Sequence, residues 1–131
     1  MASELANLLT ELIRIPSESR NRDELRRIVG FLKDWLEARG VFCTVEENEC
    51  GYQGLYAATT PGKVHDSLFV SHVDVVKAPR EMFSPRIDGD RIYGRGACDT
   101  KGNVAAICQV LAALVGKASV GMLLATEEEG C

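Results

Sequence analysis

Two apolar runs of strand length, SLFVSHVDVV from Ser67 and SVGMLLAT from Ser119, stand on either side of a segment whose apolar residues recur at helical spacing. That segment runs from Thr100 to Val115, with Val104, Ile107, Cys108, Leu111 and Leu114 on one face, and its helix is expected to start near Asp99. Strand, helix and strand in succession call for a sheet covered by helices. The upstream half repeats the mixture. Ser3 can cap a helix with Leu5, Leu8, Leu9, Leu12 and Ile13 on one side, stopped by Pro16. A second helix is expected from about Asp23 to Arg39, with Gly40 as its stop. VFCTVE and GLYAATT alternate like half-buried strands, Lys77 to Pro85 reads as a loop, and Asp88-Gly89-Asp90 marks a turn between two short extended pieces. The expected class is α/β, a mixed and largely parallel sheet flanked by helices, in one unit spanning residues 1–131.

The 46% apolar content suits a packed core. Fifteen basic residues against nineteen acidic ones leave a formal charge of -4 with no basic stripe, which argues against a nucleic-acid partner. The N-terminal MASELANLLTELIRIP lacks the pattern of a signal peptide, and no apolar run reaches membrane-spanning length, so the expected location is the cytoplasm, with no membrane partner. The five cysteines form no CxxC pair and are odd in number. They are read as reduced and mostly buried, without a disulfide framework or a thiolate zinc site.

The polar residues that end the apolar runs are of a restricted kind. LFVSHVD delivers His72 and Asp74, RIYGRGACD delivers Asp99, and VGMLLATEEE delivers Glu127, Glu128 and Glu129. Each set stands at the carboxyl end of an expected strand, the edge at which loops of an α/β sheet converge on ligands. An imidazole with several carboxylates suits a borderline divalent cation such as zinc. His72 and Asp74, two apart on a strand, share a side, so Asp74 can fix the tautomer and aim of the imidazole. Plainer roles exist for each: a core histidine, a helix-capping Asp99, a solvated acidic loop. Three adjacent carboxylates behind an apolar strand nonetheless repel one another unless a cation is present. YGRGACDTKG fails the spacing of a phosphate loop, His65 is read as exposed and without a role, and Cys98 as a nucleophile would need the histidine better used on metal.

SHVDVV, YGRGACDTKG and ATEEEG, in that order and roughly 25 to 30 residues apart, resemble the motifs of a dinuclear zinc peptidase and deacylase family. That family includes acetylornithine deacetylase, succinyl-diaminopimelate desuccinylase, aminoacylase and glutamate carboxypeptidase. The N-terminal helix ending in IRIPSES also looks like the family's start, so the resemblance spans the chain. It implies that His72 binds one zinc ion, that Asp74 supports it, that Asp99 bridges two metals, and that Glu129 binds the second. Glu128 would be the general base; a one-residue shift would give Glu127 that role and make Glu128 the ligand. The implied cofactor is two Zn2+, or Co2+ or Mn2+. The implied activity is hydrolysis of an amide bond in N-acyl amino acids, acetylornithine deacetylase-like, with a dipeptidase or carboxypeptidase as the alternative and an inactive fragment serving as a binding module as another. Small N-acyl amino acids or short peptides are the expected substrates. Family members continue with a further acid, a late histidine and a lid domain that mediates homodimerisation. This chain is therefore expected to be the front part of a catalytic domain, with SVGMLLAT left as an unpaired edge.

Overall fold

Ser3 Oγ accepts the Ala6 N–H at 3.1 Å and opens helix α1 (Glu4–Arg14), which ends where Pro16 forbids another turn. The computed structural model describes residues 3–129. Helix α2 (Arg22–Glu37) is capped by Asn21, whose side chain accepts the Glu24 N–H, and closes at Gly40 with φ +85°, a conformation open to glycine at little cost. The chain then forms β1 (Phe42–Glu47), β2 (Gln53–Ala58) and β3 (Ser67–His72), and a small hairpin of β4 (Arg86–Asp88) and β5 (Arg91–Tyr93). Helix α3 (Gly102–Leu114) and strand β6 (Val120–Ala125) follow.

The main sheet has the order β1-β2-β6-β3. It is mixed: β6 is parallel to β3, while β1–β2 and β2–β6 are antiparallel. The parallel share is the single β3–β6 pair, because the β1–β2 hairpin docks on the other side of β6. Residues Leu55, Ala57, Met122 and Leu124 face the helices and join Leu8, Leu12, Ile28, Val29, Leu32, Leu36, Val104, Cys108 and Leu111 in one fully buried cluster. Alternation puts Tyr56, Leu123 and Val70, neighbours across three strands, on the opposite face, where Val70 is 68% and Leu68 55% exposed.

Several expectations need correction. SVGMLLAT is not an edge: β6 is hydrogen-bonded on both sides, and the outer strands are β1 and β3. The cysteines are not mostly buried. Cys108 is buried, Cys43 half-buried, and Cys50 and Cys98 exposed, while Cys131 lies outside the described residues. Burial pushes the thiol of Cys108 up to about 12 and that of Cys43 to about 11, which keeps both inert. His65 is half-buried rather than exposed: its Nδ1 lies 3.0 Å from Ser119 Oγ and its ring leans on Tyr56. The loop from Lys77 to Pro85 contains one short 3-10 turn, Arg80–Phe83. Among the described residues no helix is long and apolar enough to cross a membrane.

Candidate metal centre

Strand β3 ends at His72, and the chain leaves the sheet there through Val73, Asp74 and Val75, all buried. Two main-chain bonds hold this exit in place, Val75 N–H to Ser17 O and Ser19 N–H to Val75 O, both 2.9 Å. The segment after α1 thus acts as a one-residue parallel strand beside it. Ser17 Oγ adds a bond to Val73 O at 2.7 Å. Opposite, β6 delivers the acidic residues at its carboxyl end, next to β3 in parallel register, with His72 paired to Ala125.

Asp74 is fully buried and its carboxylate gathers donors from three directions. Oδ1 lies 3.2 Å from His72 Nδ1 and accepts the Glu128 N–H at 3.1 Å; Oδ2 accepts the Glu129 N–H at 2.7 Å and faces Ser19 Oγ at 3.4 Å. A buried carboxylate without partners would be costly, and here main-chain N–H groups and an imidazole satisfy it. His72 Nδ1 also lies 3.0 Å from Asp74 O. Both neighbours are acceptors, which puts a proton on Nδ1.

Nε2 points at Asp99 Oδ1, 3.2 Å away. Asp99 Oδ1 is an acceptor as well, so at that distance Nε2 shares with it either a proton or a cation. Donor atoms of His72, Asp99 and Glu129 all lie within 4.8 Å of one another. One imidazole nitrogen and two carboxylates at that spacing form a set suited to zinc or a similar divalent ion, and the chemistry of these donors is what fits them to it.

Asp99 reaches this position from an unusual turn. Residues Ala97–Lys101 form one wide turn in which Asp99 and Thr100 leave helical geometry, and the Asp99–Thr100 peptide is cis. Helix α3 begins at Gly102, later than expected, and Asp99 does not cap it. The exposed carboxylate is instead directed to His72. Gly96 enters this turn at φ +85°, and a Cβ there would sit 2.8 Å from Val75 Cγ1 and 3.0 Å from Lys101 Cδ, so only glycine fits.

The six residues named from sequence thus divide as follows. His72, Asp99 and Glu129 converge, Asp74 lies beneath them, and Glu128 stands at the rim with an exposed side chain and its N–H held by Asp74. Glu127 is turned away: its Oε1 accepts from Asn48 Nδ2 at 2.8 Å, tying the acidic loop to the tip of the β1–β2 hairpin. Ser17, Ser19, Asn48 and Lys101 support the centre without having been given a role from sequence. The only local signal was a pair of serines just past a helix stop.

Comparison with known proteins points to one family. Residues 68–131, just under half of the chain, match the model of peptidase family M20/M25/M40. The chain is similar to members of that family over nearly its whole length. It is 40% identical over 78 residues to a succinyl-diaminopimelate desuccinylase of Gluconobacter oxydans, covering 53% of this chain and 20% of that protein. It is 32% identical over 148 residues to a protein of the same name from Methylocella silvestris, covering 98% of this chain and 37% of that one. Among solved structures, an M20 family metallo-carboxypeptidase from Sulfolobus solfataricus aligns with a TM-score of 0.80 at 28% identity, over 98% of this chain and 32% of that one. The chain thus spans well under half the length of the relatives it matches. The likeness to M20 metallopeptidases implies the use of a divalent metal.

Proposed function

We propose that this chain forms the front portion of the catalytic domain of a metal-dependent amide hydrolase, with His72, Asp99 and Glu129 as metal ligands and Glu128 as general base. The observation behind it is the convergence of those three donors within 4.8 Å, above a buried aspartate that also grips the backbone of Glu128. Bound there, one or two divalent ions, zinc in the first instance, would polarise the scissile carbonyl and make water acidic enough to attack near neutral pH.

The remaining steps belong to the chain itself. Asp74 keeps the His72 proton on Nδ1, so that Nε2 stays a donor to metal. The same carboxylate holds the Glu128 N–H, fixing the start of the side chain that takes the proton of the attacking water and returns it to the departing amine. Asp99, on its wide turn, faces Nε2, while Asp74 faces Nδ1, and would be the shared carboxylate if two ions are held.

For substrate we propose N-acyl amino acids, acetylornithine deacetylase-like, on the strength of the RGACDTKG motif. The desuccinylases and the carboxypeptidase among the relatives support amide hydrolysis and keep short peptides as the alternative. A second reading, an inactive chain that serves as a binding module, is favoured by the number of protein donors. Three stand together among the described residues, where a pair of ions calls for more. Zinc content per chain and release of free amine from N-acetylornithine, N-succinyl amino acids and dipeptides separate the readings. Hydrolysis that disappears in Glu128→Gln while the metal stays bound supports the enzyme, whereas absence of both metal and hydrolysis supports the binding module.

A further inference from the structure

Lys101 is the largest side chain wholly inside the molecule, at 0% exposure, in the motif that also supplies Asp99, and it has been given no role of its own. A leucine or methionine would fill such a place without the cost of burying an amine. What the amine adds is one contact: Nζ donates to Ile15 O at 2.8 Å. Phe83, with its ring centre 5.9 Å from Nζ, closes the pocket, and the stem lies along Gly96.

The other ends of this contact matter. Ile15 is the residue on which α1 stops, and its carbonyl also accepts the Ser17 N–H at 2.8 Å. From there the chain runs directly into Ser17 and Ser19, which hold Val73, Val75 and the Asp74 carboxylate. At its own end, the Lys101 N–H returns to Gly96 O at 2.7 Å and closes the turn that presents Asp99. One amine therefore references the Asp99 turn to the same strip of backbone that fixes Asp74. The two carboxylates face opposite nitrogens of the His72 ring, at 3.2 Å each.

We infer that Lys101 is a positioning residue for the metal centre: through Ile15 it sets the distance between Asp99 and His72 Nε2. This rests on the metal-site reading above. It is tested by titrating Co2+ into the metal-free 131-residue chain and into Lys101→Met, which keeps the apolar stem and loses the donor. The readouts are affinity, the visible Co2+ absorption band and the thermal melt without metal. Lys101→Gln, whose donor stops one bond short of Ile15 O, is the second variant. The expected result is an unchanged or higher melting temperature in the absence of metal together with cobalt affinity reduced about 10- to 100-fold and a shifted absorption band. Wild-type affinity and band in both variants overturn the role of Lys101 and leave the metal reading standing. Failure of the wild-type chain to bind cobalt overturns both, and loss of a cooperative melt in both variants assigns the lysine to folding and overturns the positioning role.

Discussion

Asp74 is the residue on which the centre depends most, because four donors from three segments meet on one carboxylate that water does not reach. Asn at this position has one oxygen left to accept with, and its amide would point N–H at N–H. Hydrogen bonds to a charged acceptor contribute roughly 1.5–3 kcal/mol each, so Asp74→Asn is expected to cost about 3 kcal/mol of unfolding free energy, read as a lower urea midpoint, and to weaken zinc binding in a competition titration. Lys101 provides a second expectation. Burial pulls its amine from the ordinary 10.5 down to about 7. Between those two values the unfolded chain binds more protons than the folded one, so this group's contribution rises with pH from about 7 to 10.5 and is lost as pH falls through 7. The difference in denaturation midpoint between wild type and Lys101→Met should therefore move in favour of wild type as pH is raised through that window. A difference independent of pH would contradict the lowered pKa. His72, Asp99 and Glu129 were legible from sequence because each follows an apolar run of strand length, and such positions converge. Ser19, Asn48 and Lys101 were not, because each acts on a residue 55 to 86 positions away, and no local pattern records such a pairing.

At the scale of elements, periodicity located the three α-helices and the four strands of the main sheet to within a few residues, yet it could not state which strands are neighbours. Alternation is the same whether a strand pairs to left or right, so the insertion of β6 between β2 and β3 had to come from the fold. The consequence falls on β3. It contains no lysine, no proline and no bulge, and carries Leu68 and Val70 outward on the bare face, which makes it the segment most open to pairing with another chain. Val70→Lys is expected to raise the concentration at which the chain stays monodisperse in light scattering without lowering its melting temperature, since the side chain is 68% exposed and takes no part in the core. The same substitution at Met122, in the adjoining position of the covered face, should abolish the cooperative melt.

For the whole molecule, the metal centre is the place where three otherwise separate parts of the chain meet: the end of β3, the turn before α3 and the loop after β6. Without a cation, the carboxylates of Asp99 and Glu129 repel each other and oppose that meeting. A cation that binds only the folded arrangement must stabilise all three connections together, by about 2.7 kcal/mol at a hundredfold excess over its dissociation constant. Added Zn2+ is therefore expected to raise the melting temperature in a concentration-dependent way, and EDTA to return it to the metal-free value. Both responses should vanish in His72→Ala and in Asp99→Asn but persist in Glu128→Gln, because Glu128 stands at the rim and supplies none of the converging donors. A zinc response that survives loss of His72 would mean that the ion sits elsewhere, and that the meeting of β3 with the acidic loop serves the fold alone.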